Sequence, residues 1–118
     1  MDDPQVPLDL GAIRSSLDSE RVRLLADVRE TIQAPGQMTY GSQAAAASQV
    51  FEQQRDLALR DRAASHLELV DAAIARLAGG TFGTCQRCGL PIAPARLEAL
   101  PWAAHCIGCQ SEVDRGRR

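Results

Sequence analysis

The residues whose types and spacing suit chemistry are the four cysteines, which fall as two pairs, Cys85/Cys88 and Cys106/Cys109. Each pair is C-x-x-C, and the 17 residues from Gly89 to His105 lie between them, an interval expected of four-cysteine zinc modules. A two-residue gap lets one tight turn aim both sulfurs at a metal about 2.3 Å away, and two such turns complete the tetrahedron that Zn²⁺ prefers. The pattern predicts one structural Zn²⁺ held by Cys85, Cys88, Cys106 and Cys109. Gly89 and Gly108 are placed to take the positive φ that turns backbone N–H groups toward thiolate sulfur. Four thiolates leave no position for water, which fits a scaffold metal rather than a catalytic one. Three other readings compete: two C-x-x-C disulfides, a redox-active dithiol, and reduced spectators. A redox motif would ask for a βαβ context, which is absent, and nothing at the N-terminus points to an oxidising compartment. His105 in place of Cys106 is a further alternative, weakened because the cysteine already completes the set.

The elements that must position these thiols are helical. Aromatic residues make up 3% of the 118-residue chain, too few for a large globular core, while alanine, leucine, arginine and glutamate favour helix. Residues 1–8 read as a flexible N-terminal arm. Leu10, Ile13, Leu17, Leu24, Val28 and Ile32 then recur at helical spacing, with Asp9 as N-cap and an end near Gln33, since Pro35 disfavours helix at Ala34. Arg14/Asp18 and Arg23/Asp27 form i,i+4 pairs on a solvated face. A turn follows to Gly41, and a second helix runs from about Ser42 to Ala78, closed by Gly79 and Gly80. Its seam is Val50, Leu57, Ala64, Leu67, Val70, Ile74 and Leu77, close to heptad spacing. The short connection folds the two helices back as an antiparallel coiled-coil hairpin over 9–79, pairing Val28 with Leu57, Leu17 with Leu67 and Ile13 with Val70, with its tip at about 35–49. A three-helix bundle is the alternative architecture. His66 is expected on the surface.

Residues 80–118 form the zinc-finger module and tail. Between the cysteine pairs Pro94 opens a short helix, Ala95 to Leu100, that Pro101 stops, and Ile92, Leu97, Leu100 and Trp102 are expected to pack around the metal. A short C-terminal helix and a tail with Arg115, Arg117 and Arg118 complete the chain. The expected fold class is thus mainly α: a hairpin followed by a small four-cysteine module.

Composition narrows the functional classes. The formal charge is −2 with thiols neutral, and four thiolates with one Zn²⁺ bring it to about −4, which disfavours binding to nucleic acid. All 13 basic residues are arginine, a bias that with the alanine content points to a GC-rich bacterial genome. Met1 to Pro7 holds no apolar run, so a cytoplasmic protein without signal peptide or membrane span is expected. There is no Ser/His/Asp set or glycine-rich phosphate loop, and the chain is not expected to be an enzyme.

Phe82-Gly83, Cys85, Cys88-Gly89, Ile92, Arg96-Leu97-Glu98-Ala99, Pro101, Ala103 and Cys106-x-x-Cys109 resemble the zinc-finger signature of the DksA/TraR family, and the preceding helices, with Arg60-Asp61-Arg62, are similar in placement to its coiled coil. The resemblance implies a transcription regulator that binds RNA polymerase by passing the hairpin tip through the secondary channel, without direct DNA contact. It also implies guanosine tetraphosphate as a candidate co-effector. The chain is expected to act as a monomer, away from membranes, and looks like a short member of the family. At the tip, Ala47 matches the family's Asp-x-Ala motif but Ala45 stands where the acidic residue would be, which puts regulatory activity in doubt. No charged side chain occurs from Pro35 to Val50. The candidate partner-binding residues are Tyr40, Ala45, Ala47, Ser48 and Gln49. Two alternatives stay open: a zinc-stabilised module docking another complex, and, third, a DNA-binding zinc protein.

Overall fold

The computed structural model describes residues 8–33 and 43–117, with side chains described over 8–29 and 46–117. Four helices follow one another: α1 (Leu10–Gln33), α2 (Gln43–Gly79), α3 (Pro94–Ala99) and α4 (Ile107–Gly116). At 24 and 37 residues, the first two extend roughly 36 and 55 Å. Among the described residues the only β feature is one antiparallel bridge between Thr84 and Pro91. The fold is mainly α, two long helices followed by a four-cysteine module, and the buried seams on both helices are consistent with a coiled-coil hairpin.

The helix limits follow from local chemistry. Asp9 caps α1: its Oδ1 accepts from the Ala12 N–H at 3.0 Å and its carbonyl from the Ile13 N–H at 3.0 Å. At the other end of α2, Gly80 takes φ 79°, the Gly80 N–H donates to the Leu77 carbonyl and the Thr81 N–H to the Arg76 carbonyl. This paired 5→2 and 6→1 arrangement satisfies two helix-end carbonyls and needs a residue tolerant of positive φ. Pro94 occupies the start of α3, where its missing N–H costs nothing. The expected turn at 35–41, with Tyr40, lies outside the described residues.

The chain divides into two compact units. The first joins Met1–Glu20 to Leu69–Arg118, so the base of each long helix belongs with the zinc-finger module. On the long helices its buried residues are Ile13, Leu17, Val70 and Ala73. The second unit is Arg21–Glu68, where Leu24 and Ala63 are buried. Part of the expected seam is therefore corrected. Val50 and Leu57 are 48% and 50% exposed, and Leu10 is 51% exposed, whereas the small Ala63 and Ala73 are buried. Apolar side chains lie all round α2, so heptad spacing does not single out the buried line, and it selects Ala64 where Ala63 is the buried residue. Arg14–Asp18 and Arg23–Asp27 form at 3.1 and 3.5 Å on exposed faces, as their spacing requires.

Candidate metal centre

The first cysteine pair sits at the end of a short hairpin. The Ile92 N–H donates to the Gly83 carbonyl at 2.8 Å and the Cys85 N–H to the Leu90 carbonyl at 2.8 Å, which pins the two arms. The turn closes where the Gly89 N–H meets the Cys85 carbonyl at 3.0 Å with Gly89 at φ 76°, a left-handed position that glycine occupies without strain. The second pair is built differently. Cys106 is the N-cap of α4, and its sulfur accepts from the Cys109 N–H at 3.5 Å. Gly108 accordingly lies inside the helix and not at positive φ, correcting the expectation for that residue. The helix start already directs an N–H at sulfur, so no left-handed turn is needed.

Polar contacts hold the two pairs together. The Gln86 N–H donates to the Ala104 carbonyl at 2.8 Å, and Arg96 Nε donates to the His105 carbonyl at 3.0 Å. His105 Nδ1 lies 3.2 Å from Gln110 Oε1 and outside the sulfur cluster, so Cys106 fills the fourth place. Beneath the sulfurs, Cys85, Ile92, Leu97 and Ala103 are buried, with Leu8, Phe82, Leu100, Cys106 and Cys109 packed against them. Ile92, Leu97 and Leu100 take their expected places. Trp102 is half-buried and outside this cluster, while Leu8, assigned by sequence to the arm, belongs to it. One guanidinium ties α2 to the module: Arg76 Nη2 reaches the Ala103 carbonyl at 3.5 Å, and burial lowers its pKa.

All four Sγ atoms lie within 4.8 Å of one another, and Cys88 and Cys106 are 4.0 Å apart. Zn–S bonds of about 2.3 Å in a tetrahedron require S···S edges of roughly 3.8 Å, so the sulfurs fit one zinc ion with small adjustments. The cysteines are free thiols rather than two disulfides. Bound there, zinc supplies cross-linking of the two turns; with four thiolate ligands it offers no site for substrate.

In the folded geometry the thiols are unequal. Burial pushes Cys85 up, but hydrogen bonds from the backbone of Cys88, Cys106 and Arg87 and from the Cys88 side chain outweigh it and hold Cys85 down to about 5. Cys109 is pushed up to about 12, first by its hydrogen bond with the Cys106 side chain and then by burial. In this geometry Cys85 gives up its proton most readily and Cys109 least, and zinc binding displaces protons from the thiols. Protons compete with the metal, so affinity rises with pH. Competition against a chromophoric chelator between pH 6 and 8 is expected to show zinc affinity falling at least about tenfold per unit of acidification, one factor of ten for each proton displaced. A pH-independent affinity would contradict thiolate ligation.

Residues 80–115 match the family model described as the prokaryotic dksA/traR C4-type zinc finger. The chain is 32% identical over 97 residues to the RNA polymerase-binding transcription factor DksA of Caulobacter vibrioides, covering 80% of this chain and 68% of that protein. It is 43% identical over 49 residues to an uncharacterized protein of Aquifex aeolicus, covering 42% of this chain but only 34% of the relative. Among solved structures, transcription factor DksA2 from Pseudomonas aeruginosa superposes with a TM-score of 0.75 at 30% identity, over 92% of this chain and 85% of that one. A single structural zinc thus completes the module, and the chain belongs to the DksA/TraR family of C4-type zinc-finger proteins.

Proposed function

We propose that this protein is a cytoplasmic, monomeric regulator that binds RNA polymerase and carries the turn between α1 and α2 into the secondary channel, with no direct DNA contact and no catalysis of its own. The observation that carries the reading is the likeness to a relative named for polymerase binding, spanning helices as well as zinc finger. A stiff helix of roughly 55 Å has the reach for a deep channel at little ordering cost. Of the candidate tip residues, Ala47 and Ser48 are exposed at the start of α2 and Gln49 is half-buried; Tyr40 and the side chain of Ala45 lie outside the described residues. No helix among the described residues is long and apolar enough to cross a membrane. Guanosine tetraphosphate is the co-effector to include in assays.

A photo-crosslinker at Tyr40 is expected to label the large catalytic subunits of RNA polymerase, and one at the exposed Arg87 to label only the channel entrance. Labelling of DNA from Arg87 would favour a DNA-binding protein instead. A second reading, a zinc-stabilised module that docks another complex, is favoured by Ala45 at the place of the acidic tip residue. Ala45→Asp separates the two. Under the polymerase reading this variant changes transcription from a sensitive promoter more than the native protein does; equal and substantial activity from both would remove the tip carboxylate from the mechanism.

A further inference from the structure

Phe51, Arg55, Ala58 and Arg62 follow one another along α2 at i, i+4, i+7 and i+11, which places them on one helix face over roughly 16 Å. All four are exposed, and Phe51 at 75% has the highest exposure among the large apolar residues described. The exposed Ala47 extends the row by a turn toward the proposed tip. The row contains no carboxylate although the chain carries a net charge of −2. Glu52 and Asp61 lie to either side of it. Four arginines elsewhere are neutralised by acids nearby, Arg14 by Asp18, Arg23 by Asp27, Arg60 by Asp61 and Arg115 by Glu112. Among the described residues, no ion pair involves Arg55 or Arg62.

An aromatic ring left in water at one end of a row that carries two unneutralised guanidiniums has the composition of an interface core, where aromatic residues and arginine are enriched. Its complement is an apolar recess with carboxylates along one side. Each guanidinium would gain a charge-assisted hydrogen bond there, and the ring would leave water. Two arginines neutralise too few phosphates to hold a nucleic acid at physiological salt, and a protein surface is the fitting occupant. We propose that this row is a lateral docking ridge that seats on an acidic protein surface of RNA polymerase with an apolar recess at its tip-ward end, beside the insertion of the tip. The proposal rests on the polymerase reading and adds to it a specific contact surface and its charge.

The test uses the full-length, zinc-loaded chain with a fluorophore at its N-terminus, titrated with purified RNA polymerase core enzyme. Phe51→Ala is expected to weaken binding at least about tenfold, and Arg55→Glu with Arg62→Glu at least about thirtyfold with a shallower salt dependence. Glu52→Gln, off the row, should bind within about twofold of the native protein. Circular dichroism and zinc content, unchanged for substitutions at exposed positions, verify the fold. Native binding with all variants within twofold would overturn the ridge while leaving the polymerase reading intact. Failure of the native protein to bind polymerase would overturn both. Variants that lose affinity for labelled single-stranded RNA or duplex DNA while keeping it for polymerase would make the row a nucleic-acid contact and overturn the proposal.

Discussion

Stripping zinc from this protein should unfold the module at 82–110 and loosen the bases of both long helices with it. The buried core around the cysteines contains only Cys85, Ile92, Leu97 and Ala103, far too little apolar area to offset the entropy of ordering the segment. Zinc binding in small finger modules is worth about 10–16 kcal/mol, comparable with the entire stability of an ordinary domain at about 5–15 kcal/mol. Its loss also leaves four thiols crowded within 4.8 Å. The effect should travel because the module and the helix bases form one compact unit. Leu8, one residue before the Asp9 cap of α1, packs against the cysteine core, and Arg76 of α2 reaches the Ala103 carbonyl. In hydrogen exchange with and without a strong chelator, protection should vanish across 82–110 and fall at least about tenfold over 10–20 and 69–79, with smaller changes between. Sequence reasoning alone expects most helical signal to survive chelation. If the exchange change stops at residue 82, the helix bases stand independently and the packing of Leu8 carries no coupling.

Those features that chemistry dictates locally were legible in the sequence. Cysteine pairs separated by two residues can close only a small ring, and the metal site, Asp9 as a cap, the end of α1 at Gln33, the start of α3 at Pro94 and the stop at Gly79-Gly80 could all be read from neighbours. Features decided by distant packing were not. Ala63 and Ala73 are buried where Val50 and Leu57 are not, since the chain that covers a seam residue is absent from any local window. Sequence places Leu8 in the arm because a lone leucine between Pro7 and Asp9 shows no period, yet the cysteine core reaches it. Gly108 suggested a left-handed turn because it sits between cysteines; the helix that Cys106 caps supplies the same N–H without one. The row on α2 carries no local signal for another reason: no acidic residue stands four positions from Arg55 or Arg62.

Replacing Leu97 tests whether the apolar packing beneath the sulfurs, and not the thiolates alone, sets the strength of the metal site. Leu97 is fully buried on α3, and its Cδ1 would stand 3.6 Å from a Cβ placed on Gly83, at the root of the first cysteine turn. Leu97→Ala removes three carbons from a core too small to close over the gap, a change that costs about 2–5 kcal/mol in well-packed sites. Where metal binding and folding are one reaction, that loss appears directly as weaker zinc affinity, roughly thirtyfold at the lower bound and about a thousandfold or more at the upper. Leu90, also beside the first pair but 64% exposed, provides the comparison: Leu90→Ala should leave affinity within about twofold, since surface truncations cost about 0.5 kcal/mol or less. Zinc competition on both variants at one pH separates the contributions. Equal affinities for the two variants would mean that the thiolates hold the module unaided and that Leu97 packs against a frame already set by the metal. A large loss at Leu97 with none at Leu90 would tie the zinc site to the same core that anchors Leu8, and through it to the first turn of α1.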